Sequence, residues 1–238
     1  MKNKSVVDNK EKYNKYIELN SMCYDDAIKN DKRTIFEYYL FLIERKNIIL
    51  YSFYFINDYN SMIIKSSIFS LSFIINYLIN FGFFNEEVIH KIYKLDGKYD
   101  IIYFIPKILI SFIISYIITR ILQYIVLSER YIFQIKKEIS LSSAKDISKK
   151  VKKKLFIKYV LFFIFTFILL IFSWILLSSF GSVYQNTQII ILYNTLISFG
   201  MNICYTIIYN IFPAITRINS LKLKRKHRYQ LSKLLQIL

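Results

Sequence analysis

Two basic side chains, Lys107 and Arg120, stand inside residues 101–127, a stretch otherwise without charge. A cation among so many apolar residues is costly in lipid, so it either reaches an interface, pairs inside a bundle, or serves a conduction or substrate path. Arg120 lies about 10 Å from Leu127 along a helix axis, at ~1.5 Å per residue. A long guanidinium side chain covers most of that distance by snorkelling. Lys107 lies near the other end of the stretch and can reach the opposite headgroups, and the adjacent Pro106 is expected to begin the regular helix. A second pattern sits near the C-terminus, where Asn202, Thr206 and Asn210 recur every fourth residue and so share one helix face. Such a face bonds to a neighbouring helix or lines a polar cavity. Gly200 permits a close approach there, and Pro213 is expected to end or kink the run.

Enzymatic chemistry has little to build on. His90 and His227 are isolated, and Cys23 and Cys204 are too few for a disulfide framework or a cysteine-only zinc site. No Gly-rich phosphate loop, nucleophile elbow or His-x-x-x-His pair occurs, and no carboxylates cluster within the apolar runs. The expectation is a protein that is not an enzyme, with no catalytic residue, cofactor or metal.

The elements that must position these residues follow from composition. Hydrophobic residues make up 55% of the chain and aromatics 18%, with only four Gly and two Pro. That excludes turn-rich β-folds and disorder as the main architecture. A helix needs roughly 20 apolar residues to cross a bilayer, and four stretches qualify: 66–84, 101–127, 159–180 and 188–213. The expected fold is an all-α polytopic membrane helix bundle, four spanning helices plus an N-terminal amphipathic helix. Residues 1–23 read as a polar, solvated arm. Residues 24–65 read as an amphipathic helix followed by an interfacial or re-entrant piece, IILYSFYFI at 48–56, too short to span. The four-span domain covers 66–216 and a basic tail covers 217–238. A cleaved signal peptide is not expected, because the first 34 residues hold no apolar core.

Charge placement gives an orientation. The net charge is +17, but it is unevenly spread. Residues 85–100 carry three Lys against four acids, whereas residues 128–158 carry ten basic residues against three acids. The turn at 181–187 is uncharged, and the tail carries seven basic residues and no acid. This alternation places both termini in the cytosol. Lys149, Lys150, Lys152, Lys153 and Lys154 before the third span, and Lys224, Arg225, Lys226 and Arg228 in the tail, are expected to contact anionic inner-leaflet lipid. The basic loop is expected to lie along the membrane. It lacks interleaved aromatics, so nucleic acid is not expected as a partner, and oligomerisation through the spans is a further expectation.

Several short stretches carry a family likeness: YDDAIKNDKR (24–33), DYNSMIIK (58–65), HKIY (90–93), LSE (127–129), VYQNTQ (183–188), LISFG (196–200) and FPAITRI (212–218). In these the chain resembles a multi-span membrane domain that recurs in proteins of ciliates and other protists, often at the C-terminus of large surface or cysteine-rich proteins. The family pattern has a Pro near Thr206 and a Gly at Ala214, and this chain departs from it at both. The resemblance implies a membrane domain and no catalytic residue. The functional expectation is a membrane-anchoring or assembly module. The alternative is a small channel or transporter subunit, with Lys107, Arg120 and the polar face of the last span along its path.

Overall fold

A computed structural model describes residues 2–54, 58–128, 132, 135, 141–184 and 187–237. The described residues are helical without a strand, and four helices are long and apolar enough to cross a membrane. The chain divides into two compact units, one of residues 1–58 and 203–238, the other of residues 59–202.

The first unit begins with α1 (Lys2–Ser21), α2 (Tyr24–Asn30) and α3 (Ile35–Lys46). The N-terminal arm is thus a helix. It has few apolar residues, but Tyr13 and Leu19 are buried, and the rings of Tyr13 and Tyr16 lie 5.9 and 5.6 Å from that of Phe41. Two aromatic contacts suffice to dock a segment whose composition alone reads as solvated. The single amphipathic helix expected from Tyr24 onward is two helices. Thr34 starts the second with a capping box, its hydroxyl accepting from Glu37 N–H while the Glu37 carboxylate accepts from Thr34 N–H. Of the stretch IILYSFYFI, residues Leu50–Tyr54 form a π-helical turn with Tyr51 and Ser52 buried and Phe53 and Tyr54 exposed. Residues 55–57 lie outside the described residues.

The C-terminal part of this unit corrects the boundary of the last span and the idea of a tail. Helix α8 (Gln188–Tyr209) stops before Asn210, and a new helix, α9 (Ile211–Lys222), follows. Pro213 falls in the first turn of α9, where its missing N–H forfeits no intrahelical bond. Residues 217–238 are not a free tail. They complete α9 and form α10 (Lys226–Ile237). Lys224, at φ 52°, makes the turn between the two helices. Tyr229 of α10 is buried beside Ala27 and Leu221.

The second unit holds α4 (Met62–Phe81), α5 (Glu86–Lys94), α6 (Ile101–Val126), α7 (Leu141–Val183) and α8 as far as Asn202. Helix α4 begins at Met62, ahead of the expected start at residue 66, and takes in Lys65, which is fully buried. Asp100 caps α6 by accepting from Tyr103 N–H, so Pro106 lies inside the helix and does not begin it. The loop at 85–100 contains α5, capped by Asn85. Its Val88 and Ile92 pack with Phe84, Phe104, Ile108, Ile190 and Ile191 into one apolar cluster at this end of the unit. Helix α7 has 43 residues, about 64 Å at ~1.5 Å per residue, twice what a bilayer core requires. The described part of the basic loop, from residue 141 onward, is therefore the first half of α7 and leaves along the axis of the span. Residues 129–131, 133–134 and 136–140 of that loop lie outside the described residues.

Candidate functional site

Three spans of the second unit each carry small polar residues at four-residue spacing, and these stripes meet. Helix α4 supplies Ser72, Asn76 and Asn80, α6 supplies Ser111, Ser115, Thr119 and Gln123, and α8 supplies Asn194, Ser198 and Asn202, all buried. Ser72 and Thr119 share a hydrogen bond of 2.9 Å between their hydroxyls. Ser115 Oγ accepts from Asn76 Nδ2 at 3.2 Å and from Asn202 Nδ2 at 3.1 Å, and donates to the Phe112 carbonyl. The Asn76 side-chain oxygen accepts from Asn80 Nδ2 at 2.8 Å and from the Ser198 hydroxyl. Asn80 Nδ2 also reaches Ser198 Oγ at 2.9 Å. At the end near α5, the Tyr99 hydroxyl donates to Asn194 Oδ1 at 2.6 Å. Hydrophobic driving force is absent between helices in lipid, so small residues and interhelical hydrogen bonds supply the attraction. The three stripes form such a seam.

Helix α7 stands outside this seam. Only 6% of its most apolar stretch is buried, against 39%, 22% and 44% for the other three candidate spans. The Thr166 hydroxyl donates to a carbonyl of its own helix. A polar tie holds α7 at its basic end, where Lys158 Nζ donates to the Leu127 carbonyl at 2.9 Å. That carbonyl follows the last turn of α6 and has no partner within the helix.

Of the expected stripe, Asn202 and Thr206 lie on α8 and Asn210 at the cap of α9, and the three do two jobs. Asn202 belongs to the seam. Thr206 and Asn210 lie in the first unit, where Thr206 Oγ1 accepts from Asn47 Nδ2 at 2.9 Å and Asn210 Nδ2 donates to the Thr206 carbonyl. Arg120 is half-buried, and among the described residues its hydrogen bond and ring contact lie on its own helix: Nη1 donates to Gln123 Oε1 at 3.0 Å, and the guanidinium stands 5.0 Å over the Tyr116 ring. Lys107 Nζ lies 3.5 Å from the Tyr103 ring centroid, which Lys91 Nζ approaches equally closely. Lys149, Lys150, Lys152, Lys153 and Lys154 are exposed on α7, and Lys224, Arg225, Lys226 and Arg228 are exposed at the α9–α10 corner. Among the described residues, no group of three or more His, Cys, Asp or Glu side chains converges as a metal site would require.

The first unit contains a charge cluster that sequence reading passes over. Arg217, inside the supposed tail region, is fully buried. Its Nη2 donates to Asp31 Oδ2 at 3.2 Å and to the Leu19 carbonyl at 2.7 Å. Arg33 grips the same carboxylate with Nε and Nη2, both at 2.7 Å, and also donates to Asn20 Oδ1. The Tyr38 ring lies between the two guanidiniums, 4.7 Å from Arg33 and 5.2 Å from Arg217, and Tyr229 covers Arg217 at 4.9 Å. Burial pushes the Asp31 carboxyl up, but the hydrogen bond and charge of Arg33 and the charge of Arg217 outweigh it, so the group titrates below the ordinary carboxylate range. Among the described residues, Arg33 Nη1 and Arg217 Nη1 have no hydrogen-bond acceptor; the tyrosine faces offer them a cation–π environment instead. The available sequence signal was an Asp followed directly by two basic residues in a helix break, DKR at 31–33.

No family model matches the chain, and searches of curated proteins and of solved structures each return no match.

Proposed function

We propose that this chain is a non-enzymatic, multi-pass membrane module that anchors or assembles other components. The observation that carries the reading is the seam. Ser72, Asn76 and Asn80 of α4, Ser115 and Thr119 of α6, and Ser198 and Asn202 of α8 bond across to one another, as expected of polar groups used to hold helices together. Arg120 supports it as well, since its partners Tyr116 and Gln123 lie one turn away on α6 and give it no acidic counterpart in the core. Helix α7 offers a long apolar flank to lipid, which suits a membrane anchor. In this reading both termini and the basic half of α7 face the cytosol and α5 faces the other side, because the basic segments all fall on one side of the four crossings. The exposed lysines of α7 nearest the bilayer and the basic α9–α10 corner contact anionic lipid.

The test is reconstitution of the full chain in liposomes loaded with an ion-sensitive dye, together with identification of what co-purifies in mild detergent. The module reading expects no flux above protein-free vesicles and a stoichiometric co-purifying protein. A flux abolished by Arg120→Gln would replace it with the transport reading.

A further inference from the structure

The first unit carries a cleft of about 490 Å³ between the C-terminal half of α1 and the end of α2. Lys15, Lys29 and Lys32 line it, with Glu18, Leu19 and Met22. We infer that this cleft is a binding site for a phosphate-monoester group, carried either by a lipid headgroup or by a small soluble molecule. The inference goes beyond the anchoring role and does not depend on it.

Three observations lead there. First, three ammonium groups face one carboxylate, a surplus of two positive charges, and all three lysines are exposed. None of the three forms an ion pair within the described structure, although Glu18 lines the same cleft. Like charges gathered around a concavity without acidic partners repel one another and attract a counter-anion. Second, the wall of the cleft is itself polarised. Leu19, which lines the cleft, gives its carbonyl to Arg217, and its neighbour Asn20 gives Oδ1 to Arg33. Behind them two guanidiniums share the single carboxylate of Asp31. One positive charge therefore remains uncompensated in a buried, weakly screened position. Third, the donors are ammonium groups. Unlike a guanidinium fork they impose no planar geometry and act as point charges. A phosphate monoester carries roughly −1.5 to −2 at neutral pH with three acceptor oxygens, which matches the charge surplus at the rim and the number of lysines. A single carboxylate would leave the site under-neutralised.

The experiment uses the full chain in phosphatidylcholine nanodiscs, titrated calorimetrically with inorganic phosphate and, separately, with dihexanoyl phosphatidic acid. Saturable binding that weakens with added salt is expected. At ~1 kcal/mol per lysine near a charged surface, each Lys→Gln change at 15, 29 or 32 should weaken it about five-fold, and the triple variant should weaken it by roughly two orders of magnitude. Glu18→Gln should tighten binding by a similar single-step factor, which keeps the inference open to refutation if the triple variant folds poorly. Tighter binding of the short-chain lipid than of phosphate assigns the site to a headgroup, and equal affinities assign it to a soluble phosphate ester. The inference is overturned if the parent binds neither probe, or if the triple variant binds as the parent does. It is also overturned if binding is lost only on neutralising Lys224, Arg225, Lys226 and Arg228.

Discussion

Asp31→Asn is the most informative single change in the first unit. The Asp31 side chain is fully buried and is bonded to both Arg33 and Arg217. Replacing it with a neutral amide leaves two buried guanidiniums facing each other without a counter-charge, and removing one partner of a buried ion pair costs about 3–5 kcal/mol. Arg217→Met is milder by construction. Asp31 keeps both 2.7 Å bonds from Arg33, and the loss is mainly the Leu19 carbonyl's donor, about 1–3 kcal/mol for an unsatisfied buried group. Each kcal/mol shifts the midpoint of a unit of roughly a hundred residues by about 4–8 °C, so Asp31→Asn should lower it by more than about 12 °C. The assay is thermal unfolding of the full chain in nanodiscs, followed by protease accessibility of residues 1–58. A pH series adds an independent check. The folded Asp31 titrates below its unfolded value, so its contribution is full above about pH 4 and is lost as pH falls through the lower, folded value. The parent should therefore lose stability on acidification in that window, and Asp31→Asn should be flatter there. If Arg217→Met proves as damaging as Asp31→Asn, or Asp31→Asn costs less than about 1 kcal/mol, the account of a shared, indispensable carboxylate is wrong.

Other expectations concern the membrane part. Ser115→Ala removes the acceptor shared by Asn76 and Asn202 and should cost about 0.6–1.7 kcal/mol per interhelical bond in denaturant titration of detergent-solubilised protein; a neutral result would mean the seam does not bind the helices. Arg120→Leu should lower stability by less than about 1 kcal/mol, because the contacts it loses are exchanged within one helix, and a severe folding defect would reveal a partner elsewhere. After replacement of Cys23 and Cys204, cysteines introduced at the exposed positions Lys145 and Lys94 should react with an impermeant reagent from opposite sides of the membrane, and same-side labelling would defeat the four-span topology. Spin labels at Lys145 and Lys154 should report different depths, with residue 145 about 13 Å farther out at ~1.5 Å per residue; equal depths would mean that the basic half of α7 lies flat.

The four crossings were readable from the sequence because length and absence of charge are the quantities a bilayer imposes. Their ends were not. Helix α4 admits Lys65, and α7 runs unbroken through Lys154 and Lys158, because a helix needs only good helix formers to continue and Lys is one. The seam was half legible. The spacing of Asn202, Thr206 and Asn210 was evident, whereas Ser72, Asn76 and Asn80 on α4 and Ser111, Ser115 and Thr119 on α6 have the same period but are diluted by aliphatic neighbours. The Arg217–Asp31 pair was hidden for a different reason. The two residues are 186 positions apart, and nothing local marks an arginine in a basic segment as the one that will be buried. The packing of α1 was likewise out of reach, since it depends on Phe41 and not on the helix's own composition.

The seam also sets a timetable for biogenesis. Ser72 and Asn76 on α4 find Thr119 and Ser115 as soon as α6 is inserted, but the bond from Asn80 to Ser198 joins residues 118 apart. At about 5–20 residues per second of synthesis, Asn80 waits on the order of 6–24 s beside the translocon before α8 arrives. It does not wait unsatisfied. Its Nδ2 also donates to the backbone carbonyl of Asn76 at 2.8 Å, one turn back on α4, so the nascent helix shelters this amide until the ribosome delivers the partner. Substitution of Asn76 by proline would take away that helical turn, and Asn80 would then meet the quality-control machinery as a bare polar group in lipid.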